Sequence, residues 1–273
     1  MLALIQIVIS IILTVLFGIN SAITFTLIDV LTIILIFLLS NIAITIIYIL
    51  LFVVFVYTTE KIDYRKYWKH KIADLATRYL FRFYYRARVI LTGKENIPRE
   101  RNYVVYSNHI EYTDPIFLMQ VYNKTPLAFV AKEPLFKYPV LKNIMVGLGN
   151  LPITKFADRS ALETILKAIK QVKGGMPMGI FPEGKRTYSN NLIEFKPGAF
   201  KLAQKAKADI SPVVLYNMHD LSKKVRIFPT KVYIHVLPMI KYEDYKDLDT
   251  VSLSQKVYEL IDNQLDLYKT KEL

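Results

Sequence analysis

The chain has 273 residues, no cysteine and a formal charge of +13, enough length for one good-sized globular domain plus a membrane anchor. The lack of cysteine excludes a disulfide framework, a thiolate zinc site and a cysteine nucleophile. The charge calls for an anionic partner, and because the apolar residues crowd the N-terminus that partner is read as lipid or a phosphorylated substrate, not nucleic acid.

From Met1 to Thr59 the only charged side chain is Asp29. As helix, roughly 60 residues would measure about 90 Å, against a hydrocarbon core about 30 Å thick, so the segment is predicted to fold back on itself. Two apolar segments, about Leu2 to Ile19 and Val30 to Tyr57, flank a polar bend marked by Asn20, Ser21 and Asp29. Residues 1–59 therefore read as a membrane-embedded helical hairpin. A secretory signal fits less well, because no basic region precedes the apolar run and the second apolar segment has no place in one.

Residues 60–88 read as a basic amphipathic interfacial helix. Lys61, Arg65, Lys66, Lys69, Lys71, Arg78, Arg82, Arg86 and Arg88 follow the hairpin at once, which puts this side of the membrane in the cytoplasm. Tyr64, Trp68, Ile72, Leu75 and Tyr79 recur at helical spacing, as a stripe that lies in the headgroup layer or packs on the following domain.

Residues 89–273 alternate short apolar runs with helical periods, which predicts an α/β domain. Strands are predicted at Val89–Leu91, Tyr103–Ser107, Leu127–Ala131, Asn150–Ile153, Pro177–Phe181, Ser211–Leu215 and Lys231–Leu237. Helices are predicted at Pro115–Val121, Arg159–Lys173, Pro197–Lys207 and Val251–Leu267. In the clearest of them, Ala161, Leu162, Ile165, Leu166 and Ile169 form an apolar face and Gly174-Gly175 a stop.

Two segments carry chemistry. Ser107-Asn108-His109-Ile110-Glu111-Tyr112-Thr113-Asp114-Pro115 follows a strand and opens a helix, placing a histidine and a carboxylate at the carboxyl end of a sheet, where ligands bind. A neutral imidazole can take a proton from an attacking hydroxyl, and a carboxylate fixes its tautomer. Asp114-Pro115 has a second reading, a helix N-cap with proline at the first helical position. Gly179-Ile180-Phe181-Pro182-Glu183-Gly184-Lys185-Arg186-Thr187 approaches a phosphate loop, but Arg186 replaces the metal-binding hydroxyl, Pro182 removes an amide and Glu183 brings negative charge. Recognition of phosphate by the cations themselves remains, above all by the forked Arg186. A dinucleotide loop, a zinc deaminase and a Gly-x-Ser-x-Gly elbow each lack required residues. His70, His219 and His235 have no metal-ligand spacing, and neither a metal nor another cofactor is expected.

Together these segments resemble the lysophosphatidic acid acyltransferases, a branch of the glycerolipid acyltransferase superfamily, over roughly Val89 to Leu237. The first motif appears as Asn108, His109 and Asp114, and the third as Phe181, Pro182, Glu183, Gly184 and Arg186. The second is represented by Lys132, Leu135, Pro139, Gly149 and Ile153, and the fourth by Ile210, Pro212 and Val213. The resemblance implies an α/β fold, a mixed-sheet acyltransferase domain with helices on both faces. It also implies His109 as base, Asp114 as its orienting carboxylate, and acceptor-phosphate binding by Lys155, Glu183, Gly184 and Arg186. Lys155 stands where arginine is usual, turning a bidentate contact into a point charge, and Lys185 and Glu111 stand where small hydroxyl residues are common. The implied reaction moves an acyl group from acyl-CoA or acyl-carrier protein to the hydroxyl of lysophosphatidic acid in a ternary complex, giving phosphatidic acid at the cell membrane, with the catalytic domain on the cytoplasmic face. Acylation of another lyso-lipid, or a non-catalytic module that binds anionic lipid, are the alternatives.

Overall fold

The computed structural model describes residues 2–20, 26–81, 85–100, 102–154, 159–221 and 229–270. The chain divides into two compact units, Met1–Thr59 and Glu60–Leu273.

The first unit consists of α1 (Leu2–Asn20) and α2 (Leu27–Thr58). A capping box opens α2: Asp29 N–H donates to Thr26 Oγ1, and the Asp29 carboxylate accepts from Thr26 N–H. Asp29, expected at the bend, thus lies in the first turn of α2, where its charge also complements the helix dipole. The second apolar segment accordingly begins at Leu27 instead of Val30, and Ser21 lies outside the described residues. Among the described residues α2 is the one helix long and apolar enough to cross a membrane, the apolar stretch of α1, Leu4–Ile19, being shorter. Gln6 on α1 is buried and donates through Nε2 to Asn41 O and Thr45 Oγ1 on α2. An amide left unpaired in apolar surroundings is costly, so these bonds tie the two helices at that level.

The second unit opens with α3 (Tyr67–Leu80), shorter than the helix expected over 60–88. Tyr64 precedes this helix, and the chain is already extended as β1 (Ala87–Thr92). On α3, Trp68, Ile72 and Leu75 are exposed while Tyr79 is buried, so the expected stripe is split between solvent and core.

The other elements follow in order: β2 (Tyr103–Ser107), α4 (Asp114–Val121), β3 (Ala128–Lys132), α5 (Pro139–Gly147), β4 (Leu151–Ile153), α6 (Arg159–Lys173), β5 (Met178–Ile180), α7 (Lys201–Ala206), β6 (Asp209–Tyr216), β7 (Thr230–Val236) and α8 (Thr250–Thr270). The strands form a seven-stranded sheet in the order β1-β7-β6-β2-β5-β3-β4, parallel except for the β6–β7 pair. Its centre is buried on both faces, which is why β2, β5 and the second half of β6 read as short runs that are almost wholly apolar. Alternation along β2 sends Val104 and Tyr106 into one core with Ala168 and Val172 of α6, Leu202 of α7 and Leu253, Val257 and Ile261 of α8. Tyr103 and Val105 enter the other with Phe81 and with Phe117, Leu118 and Val121 of α4. The unit is therefore a mixed sheet with helices on both faces.

Pro212 interrupts the antiparallel ladder. Pairing with β7 runs from Val213 to Tyr216 and resumes only as a bridge between Ile210 and Ile240, while Pro212 contributes its carbonyl to Leu237 N–H. A residue without an N–H is tolerated in a central strand at such a break.

Candidate active site

The site is built where β2 ends between β5 and β6. Asn108, the first residue past β2, extends the β2–β6 link by side chain: its Nδ2 donates to Leu215 O at 2.9 Å and its Oδ1 accepts from Leu215 N–H at 2.8 Å. His109 follows, with its side chain 17% exposed, and Asp114, five residues on, is fully buried.

Asp114 does not cap its helix. The residue preceding α4 is Thr113, whose side chain makes no capping bond. The Asp114 carboxyl instead turns back into the loop, where Oδ2 accepts from Ile110 N–H at 2.6 Å, Glu111 N–H at 2.8 Å and His109 Nδ1 at 2.9 Å. Three N–H groups converging on one oxygen leave it only an acceptor's role, so the His109 proton sits on Nδ1 and Nε2 carries the free lone pair. Burial pushes the Asp114 carboxyl up, and the His109 contact and the two amides oppose this.

One further contact touches the imidazole directly, and two more steady the residue around it. Phe181 stacks on it with ring centroids 4.0 Å apart and planes at 17°. Phe129 stacks on Phe181 in turn, at 5.9 Å. Gly179 makes this stack possible, because a Cβ there would lie 2.2 Å from the Phe129 ring. The Glu183 carboxyl, buried, reaches across from the turn after β5 and accepts His109 N–H through Oε1 at 3.2 Å. Burial raises its pKa to about 8, helped by the charge of Asp114 and opposed by the His109 N–H and Lys185. Gly184 closes that turn at φ +69°, donating its N–H to Phe181 O, in a conformation that favours glycine.

The loop after Glu183 runs beside the histidine. Thr187 N–H donates to His109 O, and Tyr188 N–H to Ile110 O. Arg186 lies over the Tyr112 ring, Cζ 3.2 Å from its centroid. A cleft of about 380 Å³ adjoins this loop, lined in part by Glu183, Lys185, Glu194, Phe195 and Lys196.

Of the expected residues, the fold brings His109, Asp114, Phe181 and Glu183 into one contacting group, while the Asn108 side chain is bonded to Leu215. Glu183, expected in the phosphate set, has its Oε1 on the histidine backbone. Pro182 is buried in the same turn and Lys132 ends β3 in an exposed position. Lys155 lies outside the described residues. The sequence alone does not single out Phe129, the close approach at Gly179, or Tyr112 as a partner of Arg186. Of these only Gly179 carried a signal, since glycine inside a strand often marks close approach by another group. Among the described residues no group of three His, Asp or Glu side chains is placed to hold a metal ion.

The class follows from fold and match together. A family model described as Acyltransferase matches residues 88–216, a span from β1 to the end of β6 that contains both motifs. The solved structure of the 1-acyl-sn-glycerophosphate acyltransferase PlsC from Thermotoga maritima shares the fold, with a TM-score of 0.60 at 24% identity over 74% of this chain and 78% of that one. The 1-acyl-sn-glycerol-3-phosphate acyltransferase of Borreliella burgdorferi is 33% identical over 184 residues, 67% of this chain and 73% of its own. The chloroplastic enzyme BAT2 of Brassica napus, named for the same activity, is 31% identical over 154 residues, of which the match covers 43% of its length. The chain is an acyltransferase, and it belongs to the 1-acyl-sn-glycerol-3-phosphate acyltransferase family.

Proposed function

We propose that the chain transfers an acyl group from the thioester of acyl-CoA or acyl-carrier protein to the free hydroxyl of lysophosphatidic acid, yielding phosphatidic acid, with His109 as general base. The observation that carries this reading is the 2.9 Å contact of His109 Nδ1 with the buried Asp114, which leaves Nε2 free to accept a proton. In the step, Nε2 takes the hydroxyl proton as the oxygen attacks the thioester carbon. The C–O bond forms, the C–S bond breaks, and the imidazolium returns its proton to the departing thiolate. Asp114 stabilises the imidazolium between these events. Glu183, through the His109 amide, and Phe181, through the ring face, hold the base in place. Arg186 and Lys155 recognise the acceptor's phosphate.

The first 59 residues form a membrane hairpin with both ends in the cytoplasm. Its support is the apolar length of α2, the Gln6 ties to Asn41 and Thr45, and the cations that follow Thr59. Single cysteines placed at Leu2 and Lys61 should escape an impermeant thiol reagent added outside intact cells. Labelling at Lys61 would put the catalytic unit on the other face.

The reaction is tested with purified protein in detergent, offered labelled acyl-CoA and acyl-carrier protein against lysophosphatidic acid, other lysophospholipids and a monoacylglycerol, with products resolved by mass. Arg186→Ala should impair transfer to lysophosphatidic acid about ten- to a hundredfold in kcat/KM, the worth of a charge-assisted contact, and transfer to monoacylglycerol far less. Equal losses on both acceptors would remove Arg186 from phosphate recognition.

A further inference from the structure

Arg186 is held by aromatic rings. Among the described residues no carboxylate forms an ion pair with it, and its Nη1 is shielded from solvent without a hydrogen-bond partner. What holds the guanidinium is aromatic: its Cζ sits 3.2 Å from the Tyr112 ring centroid and 5.3 Å from that of Tyr188. Neither ring belongs to the core, since Tyr112 is 61% and Tyr188 47% exposed. A tyrosine that spends this much surface in water while covering an arginine contributes little to folding by burial.

The backbone adds an independent observation. Tyr188 has φ +54°, in the left-handed region that a bulky side chain rarely enters. It stays there because Tyr188 N–H is bonded to Ile110 O and the adjacent Thr187 N–H to His109 O. The same two bonds tether the segment that carries Arg186 to the segment that carries His109 and Tyr112. Strain held in place by surrounding bonds is characteristic of sites where the positioned group has a task.

A carboxylate partner would hold the guanidinium by its edge, consuming N–H donors and neutralising its charge. An aromatic face attracts the cation through the ring quadrupole and touches none of those donors. We propose that Tyr112 and Tyr188 are positioning residues for Arg186, whose ring faces fix the guanidinium beside His109 while leaving its N–H fork for the phosphate of the acceptor. The inference rests on the reading of Arg186 as a phosphate-binding residue and extends it to the residues that set where the phosphate sits. Nη1 itself is shielded, so the acceptor phosphate meets the guanidinium's other N–H groups, which have no partner among the described residues.

The test is a double-mutant cycle on the purified full-length protein in detergent, with lysophosphatidic acid varied at saturating acyl donor. Tyr112→Leu should raise KM for lysophosphatidic acid about three- to tenfold, the worth of a partly exposed cation–π contact, with kcat changed less than about twofold. Tyr112→Phe keeps the ring face and should stay within about twofold of the wild type in KM. Tyr188→Asn removes the second ring but tolerates the left-handed backbone, and should raise KM by a smaller factor. In an Arg186→Ala background, Tyr112→Leu should have no further effect, because the group it positions is gone. The inference is overturned if Tyr112→Leu raises KM by the same factor with and without Arg186, or if Tyr112→Phe is as damaging as Tyr112→Leu. If Arg186→Ala itself leaves KM for lysophosphatidic acid unchanged, the phosphate reading of Arg186 falls and takes this inference with it, a result distinct from the additive one. Melting temperatures of all variants guard against a folding effect, which the exposure of both rings argues against.

Discussion

Replacing Asp114 by asparagine separates the charge of this side chain from its shape. Its Oδ2 is surrounded by three N–H donors, so the asparagine carbonyl must take that place, and the tautomer of His109 is preserved. The amide –NH₂ then falls where Oδ1 now sits, a buried position without a hydrogen-bond partner among the described residues. Leaving such a donor unsatisfied costs about 1–3 kcal/mol of folding stability. During turnover the imidazolium loses a buried negative partner, worth about 1.5–3 kcal/mol, which lowers kcat by about ten- to a hundredfold. The assay is kcat at saturating lysophosphatidic acid and donor, paired with denaturant titration in the same detergent. A kcat within about threefold of the wild type would refute the charge argument. A loss near 10⁴-fold would mean that the tautomer was lost after all, contrary to the geometry.

His109→Ala should lower kcat by about 10²–10⁴ while the protein remains folded and membrane-bound, since the ring is partly exposed and supports no core; more than about a tenth of wild-type kcat would sink the mechanism. Glu183 has a folded-state pKa near 8 against an ordinary 4.5, so the folded protein holds the extra proton between these values. Its contribution to stability is therefore full below about pH 4.5 and is lost as pH rises through about 8. Glu183→Gln keeps the acceptor for His109 N–H and should remove that slope, so the melting temperature of the wild type should fall relative to the variant from pH 5 to pH 9; parallel curves would contradict the raised pKa. Gly179→Ala drives a Cβ to 2.2 Å from the Phe129 ring and must displace it. It should cost about 1–3 kcal/mol and lower kcat through the Phe181–His109 stack, with recovery when Phe129→Leu restores the space. Unchanged denaturation and turnover in Gly179→Ala would show the stack to be idle.

The parts of this protein legible in its sequence are those whose causes lie close together along the chain. The strand at Tyr103–Ser107 and the helix at Arg159–Lys173 were predicted with the bounds the structure shows, one from an unbroken apolar run and the other from a 3.6-residue period with a glycine stop. The His109–Asp114 pair was legible for the same reason, because only four residues separate the two side chains along the chain. The role of Asp29 is equally local, a Thr26-x-x-Asp29 box, and differs from that of the neighbouring polar residues of the bend because its carboxylate closes on the Thr26 N–H. Periodicity also says which residues share a face but not what that face meets, so the α3 stripe could not be divided in advance into exposed Trp68, Ile72 and Leu75 and buried Tyr79. Apart from Asp114, what surrounds the histidine was decided by strand order. Glu183 on the His109 amide, Phe181 and Phe129 behind the ring, and Asn108 on Leu215 all require β2 to lie between β5 and β6, with β3 beyond β5. That order is chosen by the burial of two whole sheet faces at once, a condition spread over residues more than a hundred positions apart, and no short stretch of the chain carries it.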